Sequence, residues 1–368
     1  MRVTLCVDAL QPQLTGIGRY TWHLWQGLQR QPGVSELLAY RGGIFLDDPR
    51  MLLEIRRLPH DIRLKRWTQW GRVRRTLRST VVHAPNYFLP EMAETGVITV
   101  HDLSVFNFPA AHPRERVETF ERLFTSSLSR AVAVITDTET VRRELCDMFS
   151  LPARVVTAVP LGVDRSFYGR DKAAMEAAMN RLALTPGAYG LSVAAFEPRK
   201  KIKELIDAWG RLPHPLRTRH PLVLAGSIGW RNEDLHQRIA EAASEGWLRH
   251  LGFVDDVTLQ QLYAGARLFV YPSIYEGFGL PPVEAMASGT PVVVSNRSCL
   301  PEVCGDAARY VDPDDRASFT LILEECLTDE QLRAHLRARG FETAKKYSWE
   351  SCVADTVAVY RKALTPLA

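Results

Sequence analysis

Two carboxylates eight positions apart frame the stretch of this sequence richest in chemistry, Glu276-Gly-Phe-Gly-Leu-Pro-Pro-Val-Glu284. Between them, Gly277 and Gly279 leave backbone N–H groups open to close approach. Pro281 or Pro282 can take the first position of a helix, and Gly289 suits the position just past its end. That spacing predicts Glu276 in a loop and Glu284 in the first turns of a short helix. Carboxylates beside such a backbone repel a phosphate unless they bind something else, and sugar and ribose hydroxyls are suitable donors. The combination points to a nucleotide-sugar. A second cluster, Arg199-Lys200-Lys201, follows the apolar run Leu191–Ala194 and precedes the helical face Ile202, Leu205, Ile206 and Trp209. Cations at a helix N-terminus oppose the helix dipole, so a bound anion accounts for them there. Placed over a diphosphate, they would stabilise its charge as it leaves.

Two weaker signals lie earlier. Gly16-Ile-Gly18 opens an amphipathic helix (Tyr20, Leu24, Leu28) after the first apolar run, where backbone N–H groups and the helix dipole favour a phosphate. The alternative is a plain turn. His101, in Thr99-Val-His101-Asp102, stands where a strand ends and could reach a ligand. The alternative is a histidine hydrogen-bonded to a loop. Asp312-Pro-Asp314 matches an Asp-x-Asp string but falls in a late turn away from these motifs, so no metal is expected. The six cysteines form no Cys-x-x-Cys pair and have no histidine cluster beside them, which argues against a zinc site. Scattered cysteines fit a reducing compartment.

Positioning these residues requires parallel strands. Short apolar runs recur at Val3–Val7, Val81–Ala84, Val97–Val100, Val132–Thr136 and Val155–Val159, and again at Leu191–Ala194, Leu222–Ala225, Leu268–Tyr271 and Val292–Ser295. Each is followed by a loop and a helical pattern. Continuous apolar runs alternating with helices predict doubly wound α/β sheets buried on both faces. In such sheets ligands bind beyond the strand ends. The 368 residues fit two domains. The expected division is 1–165 and 166–347, with a linker near 160–187. A terminal helix, 348–368, has Ser348 as N-cap and Trp349, Val353, Val357, Tyr360 and Leu364 on one face, and crosses back to the first domain. The N-terminus reads as a first strand and not a signal peptide. No apolar run approaches the ~18 residues of a membrane span.

Taken together, Gly-Ile-Gly-Arg-Tyr20, His101-Asp102, Pro160-Leu-Gly-Val-Asp164, Glu197-Pro-Arg-Lys200, Glu276-x7-Glu284 and Leu300-Pro-Glu-Val303 resemble glycosyltransferase family 4, retaining enzymes of the GT-B fold. The likeness spans nearly the whole chain and is greatest to bacterial mannosyl- and rhamnosyltransferases of polysaccharide assembly. It implies two Rossmann-like domains facing a cleft, the first binding the acceptor and the second the nucleotide-sugar. It implies that Glu276 contacts donor-sugar hydroxyls and that Glu284 contacts the ribose. Arg199 and Lys200 would face the diphosphate. Gly16 and Gly18 would shape the loop near the phosphate and acceptor, and His101 would lie beside the reacting sugar. Gly277, Phe278, Gly279 and Leu280 would supply backbone contacts. The likeness also implies transfer of a hexosyl or deoxyhexosyl unit, GDP-linked mannose being favoured, without cofactor or obligatory metal. Two positions depart from the pattern. Lys201 stands where the family has Asn or Gly, and Ala194 stands where some members carry an arginine.

Charge is uneven. Residues 1–165 hold 22 Lys and Arg against 17 Asp and Glu, and the remainder holds 24 against 25. Nine of the cations fall in 56–78, where only Asp61 opposes them, around the helical stripe Leu64, Trp67, Trp70, Val73 and Leu77. Arg63, Lys65, Arg66, Trp67, Trp70 and Arg74 form a candidate patch for an anionic membrane and a lipid-linked glycan acceptor. An ordinary domain helix is the alternative. The expected location is the cytoplasm, peripheral on the inner face of the membrane. No recognition motif for nucleic acid accompanies the charge. Two other functions remain open, a nucleotide-sugar epimerase of the same fold and a non-catalytic sugar- or lipid-binding scaffold.

Overall fold

The structure is a computed structural model and describes residues 1–55, 70–111, 114–169, 171–227 and 233–364. The chain divides into two compact units, Met1–Gly162 with Ser348–Ala368, and Val163–Tyr347.

The first unit carries β1 (Arg2–Cys6), β2 (Glu36–Arg41), β3 (Ile44–Leu46), β4 (Val81–Ala84), β5 (Gly96–Val100), β6 (Ala131–Thr136) and β7 (Val156–Ala158). They form a seven-stranded sheet in the order β3-β2-β1-β4-β5-β6-β7. All pairings are parallel except β2 with β3. The second unit holds β8 (Gly190–Val193), β9 (Leu222–Ala225), β10 (Leu248–His250), β11 (Leu268–Tyr271), β12 (Val292–Ser295) and β13 (Ala308–Val311). Its six-stranded sheet runs β10-β9-β8-β11-β12-β13, all parallel. The central strands are buried throughout, as continuous apolar runs require. In the second core Trp209 lies fully buried, its indole N–H donating to the His220 carbonyl at 3.1 Å. Gly190 makes room for that ring, because a Cβ there would stand 2.1 Å from it.

The terminal helix Trp349–Leu364 belongs to the first unit. Ser348 caps it, its hydroxyl accepting from the Ser351 N–H at 3.0 Å. Trp349, Val353, Val357 and Tyr360 are buried, whereas Leu364 is exposed. Gly27 and Gly162 allow the close approach. A Cβ at Gly27 would lie 2.5 Å from Val353, and one at Gly162 would lie 2.2 Å from the Trp349 nitrogen. Tyr360 also closes a buried polar chain under the sheet. Its hydroxyl lies 2.6 Å from His83 Nδ1, His83 Nε2 lies 2.8 Å from Thr99 Oγ1, and Thr99 Oγ1 lies 3.0 Å from the Tyr20 hydroxyl. Burial, with help from nearby His101, pushes His83 down to about 3, so it stays neutral.

The residues Arg63, Lys65, Arg66 and Trp67 of the basic patch lie outside the described residues. In the helix Trp70–Arg78, Val73 and Leu77 are buried while Trp70 is 54% exposed, so these three do not share one environment. Arg74 lies over the Trp70 ring at 5.8 Å and pairs with Glu94 at 3.3 Å, and Arg78 pairs with the same carboxylate. Part of the positive face is therefore locally compensated. No described helix is long and apolar enough to cross a membrane.

Two stability measurements check this arrangement. Tyr360→Phe leaves His83 without one partner and should cost about 1–3 kcal/mol, read as a lower urea midpoint at unchanged slope. Because the folded His83 binds its proton far less readily than an unfolded histidine, stability should fall as pH drops below about 6.5. A Tyr360→Phe midpoint equal to that of the parent would show that the contact contributes nothing.

Candidate functional site

In the second sheet, β8 and β11 are neighbours, and the chain continues from them to opposite sides, towards β9 and β12. That is a topological switch point, where open α/β sheets leave a crevice beyond the strand ends. The loop after β8 is the short turn Pro198–Lys200, and the loop after β11 runs through Glu276. The Ile274 N–H donates to the Arg199 carbonyl at 2.9 Å and ties the two loops together.

The side chains converge. Lys200 Nζ donates to the Tyr271 hydroxyl at 2.9 Å and forms an ion pair with Glu276. The Tyr271 hydroxyl in turn donates to Glu276 Oε1 at 2.8 Å. Arg199 donates to Glu197 and to the Tyr275 carbonyl, both at 2.8 Å, and stands 3.5 Å from Glu276 Oε2. Lys200 and Glu276 are 7% and 8% exposed, so both charges sit where an unpaired one would be costly. Burial alone would raise the Glu276 carboxyl, but Lys200 and Arg199 outweigh it and hold it below its ordinary value. Burial pulls the Lys200 ammonium down against the opposing attraction of Glu276. The Tyr271 hydroxyl is pushed well up by burial and by Glu276, so it stays a donor.

Gly279 adopts φ +88°, and a Cβ there would meet Leu300 at 2.8 Å, so the turn before the helix Leu280–Ala287 needs glycine on both counts. Gly277 is buried in the same turn. Phe278 is buried edge-on against Tyr347 at 5.1 Å. Leu280 is half-buried. Glu284 lies in that helix, buried, and accepts from the Tyr263 hydroxyl at 3.1 Å. Ser298 and Cys299 were not marked by the sequence motifs. They donate to the Glu276 carbonyl at 2.9 and 3.1 Å and fix the loop from β12's side. Ser298 has φ +56°, a conformation that a bare serine does not advertise in sequence.

Lys201 corrects the picture of a basic triplet. Its backbone is left-handed, φ +54°, the conformation that favours Gly or Asn. Its ammonium turns to Glu204 and Asp314, both at 2.9 Å. Arg297 bridges Asp314 and Asp312 at 3.0 and 2.7 Å. Lys201 is thus a helix-start residue in an ion-pair network, and only Arg199 and Lys200 meet Glu276. Among the described residues, no group of three or more His, Cys, Asp and Glu is placed to hold a metal ion.

In the first unit His101 follows β5 and is 8% exposed. Its Nδ1 lies 2.8 Å from Asp137 Oδ2, just after β6, and its Nε2 lies 2.9 Å from the Pro85 carbonyl, just after β4. The Pro85 carbonyl can only accept, so Nε2 donates to it; burial raises the Asp137 carboxyl against the pull of His101, and with Asp137 ionised Nδ1 donates as well, which makes the ring an imidazolium. Burial opposes that charge, but Asp137 and the Pro85 carbonyl overcome it and raise His101 above its ordinary value. Tyr20 and Tyr87 pack edge-on to the ring at 5.1 and 5.9 Å. His101 is therefore a clamped cation. At the helix Gly16–Leu28, Thr15 is the N-cap and accepts from the Gly18 N–H at 3.3 Å. A Cβ on Gly18 would press on Leu14 and the Ala9 carbonyl at 3.0 and 3.1 Å, whereas one on Gly16 would meet nothing within 4 Å.

Two predictions follow from these contacts. Lys201→Gly relieves about 1 kcal/mol of backbone strain against the loss of two partly exposed ion pairs. It should leave ligand affinity within about threefold and stability within about 1 kcal/mol. A Lys201→Gly loss as large as that of Lys200→Ala would restore Lys201 to the site. In nitrogen-15 spectra of labelled histidine, His101 should keep the imidazolium pattern above pH 6.5, about where a free histidine loses its proton. Asp137→Asn should move that loss to lower pH, and an unmoved titration would remove Asp137 as its partner.

Comparison with known proteins agrees with this architecture. Residues 14–167 match the family described as Glycosyltransferase Family 4, and residues 179–343 match Glycosyl transferases group 1. The chain is 36% identical to the O-antigen chain mannosyltransferase B of Escherichia coli, over 98% of this chain and 100% of that protein. It is 32% identical to the MMP alpha-(1->4)-mannosyltransferase of Mycolicibacterium hassiacum, over 67% of this chain and 55% of that one. Among solved structures, it superposes on WaaG, a glycosyltransferase involved in lipopolysaccharide biosynthesis, with TM-score 0.72 at 16% identity, covering 97% of this chain and 99% of that one. It superposes on Anabaena HepE in complex with UDP-glucose with TM-score 0.73 at 18% identity, covering 97% and 99%. With its two doubly wound sheets and its paired motifs at one switch point, the chain belongs to glycosyltransferase family 4 and has the GT-B fold.

Proposed function

We propose that this glycosyltransferase moves a mannosyl unit, with retention, from a nucleotide-sugar to a growing surface glycan carried on a lipid. GDP-mannose is the favoured donor, with a rhamnose-type deoxyhexose as the variant. The observation that carries this reading is the Lys200–Tyr271–Glu276 unit at the β8/β11 switch point, where cations and a hydroxyl-reading carboxylate share one loop pair. The names of the relatives support mannose and O-antigen assembly, and HepE, solved with UDP-glucose, supports a nucleotide-sugar donor.

The steps are positioning and charge stabilisation. Arg199 and Lys200 face the diphosphate and stabilise its charge as the glycosidic bond lengthens. Glu276 holds donor-sugar hydroxyls and Glu284 the ribose. The leaving diphosphate accepts the proton of the attacking hydroxyl on the same face of the sugar, so the anomeric configuration is kept. Glu276 is tied to Lys200 and Tyr271 and is not poised as a nucleophile of the glycosidase kind. No obligatory metal enters this scheme. The reading places the enzyme in the cytoplasm, peripheral on the membrane that carries its acceptor.

Lys200→Ala should lower turnover by a factor of about 10² or more. It also strands the buried Glu276 carboxylate, which should cost about 3–5 kcal/mol of stability. The double variant Lys200→Ala/Glu276→Gln should recover most of that stability and none of the turnover. Turnover that returned together with stability would sink the catalytic role of Lys200. In a thermal-shift panel of GDP-, UDP-, dTDP- and ADP-sugars, GDP-mannose should raise Tm most, since a ligand bound to the native state stabilises it by mass action. A larger shift with another nucleotide would reassign the donor. Donor turned over to an epimer without any acceptor would favour the epimerase.

A further inference from the structure

The motif Leu300-Pro-Glu-Val303 follows β12 closely, in the short helix Leu300–Cys304. This segment and the residues just ahead of it brace the turn Glu276–Gly279. Leu300 is fully buried against Gly279, where a Cβ would come within 2.8 Å of it. The Val303 carbonyl accepts from the Tyr347 hydroxyl at 3.0 Å, and Phe278 packs edge-on to that ring. Ser298 and Cys299 both donate to the Glu276 carbonyl.

Within this brace the backbone of Glu276 has a particular need. Past the end of β11 its N–H and carbonyl have left the strand ladder, and among the described residues neither meets a backbone partner. Glu276 is buried, so leaving those groups unbonded would be costly. One hydroxyl serves both. Ser298 Oγ donates to the carbonyl at 2.9 Å and accepts from the N–H at 3.3 Å. Only a group that donates and accepts at once can do this. The Cys299 thiol, a weaker donor, adds to the carbonyl side at 3.1 Å. Ser298 makes these contacts at φ +56°, a backbone that disfavours any residue with a Cβ. Glycine would adopt it without strain but has no hydroxyl. Strain kept at a serine, where glycine would relieve it, marks a side chain that is needed.

We infer that Ser298 is a positioning residue of the transfer site, whose hydroxyl fixes the Glu276 peptide and so aims the carboxylate at the donor sugar. The inference rests on the reading of Glu276 as the sugar's partner. Ser298 acts through Glu276 and needs no contact with the donor. Small errors in the placement of such a group cost large factors in rate. The diphosphate is served from the β8 loop by Arg199 and Lys200, so the loss on removing the hydroxyl should fall on the sugar more than on the nucleotide.

The full chain is compared with Ser298→Ala and Ser298→Gly. Both variants remove the hydroxyl, but only glycine relieves the backbone. Titration calorimetry with GDP-mannose and with GDP gives the sugar's share of binding as the ratio of the two affinities. That ratio should fall about tenfold or more in both variants. Tm should stay within about 3 °C of the parent in Ser298→Gly and fall further in Ser298→Ala. Affinity would then follow the hydroxyl while stability follows φ, a split that a merely structural serine does not produce. A ratio within about threefold of the parent in Ser298→Gly overturns the role, whatever Ser298→Ala has lost. Parent-like turnover in Ser298→Gly would also remove Ser298 while leaving the transfer reading in place. A parent chain that binds no GDP-mannose would overturn the donor reading, and this role with it.

Discussion

A buried ion pair, Lys200 with Glu276, sets what the second unit must look like. Two opposite charges at 7% and 8% exposure persist only when each is matched by the other and by further hydrogen bonds. Tyr271, at the end of β11, supplies one such bond to each partner. The β8 and β11 loops must then be held in register, which the bond from Ile274 to Arg199 does. Ser298 and Cys299 hold the Glu276 carbonyl from the neighbouring strand end. The required glycine at 279 turns the chain into the helix that presents Glu284. One electrostatic constraint thus accounts for the placement of three loops.

The first unit solves a related problem with a histidine. His101 bonds Asp137 and the Pro85 carbonyl at the ends of β6 and β4, and both favour its cationic form. Beneath it, the neutral His83 links the terminal helix to the sheet through Tyr360 and Thr99. Two buried histidines of one sheet, His83 within β4 and His101 just past β5, are thus pushed in opposite directions, His83 down by burial and His101 up by Asp137 and the Pro85 carbonyl. A carboxylate and a carbonyl favour the charge, whereas hydroxyls that can both donate and accept do not require it.

Much of this was legible in the sequence because central parallel strands leave continuous apolar runs. β4, β9, β11 and β12 end where those runs end and β8 ends one residue before its run does, so the residues beyond β8 and β11, Lys200 and Glu276 among them, could be singled out by type and place. β2, β3, β10 and β13 escaped notice. They are three to six residues long, lie at or next to a sheet edge, and mix buried with partly buried positions, with one exposed residue in β2, so no unbroken run marks them. Pairings across long separations were equally hidden. His101 meets Asp137 because β5 and β6 are neighbours, and Tyr360 reaches His83 across 277 positions. The basic triplet was misleading for a local reason. The left-handed backbone at Lys201 turns its side chain to Asp314 and away from its two neighbours, and charge composition does not record φ.

The central claim is that Lys200 and Glu276 divide the donor between them, cation to diphosphate and carboxylate to sugar. Titration calorimetry of GDP and of GDP-mannose on the parent chain and on Glu276→Gln tests that division directly. Glu276→Gln also takes away the buried partner of Lys200, so GDP reports that loss alone; GDP-mannose should weaken by about tenfold or more beyond any change in GDP, because only it carries the sugar. Equal losses for both ligands, or no loss for either, would contradict it.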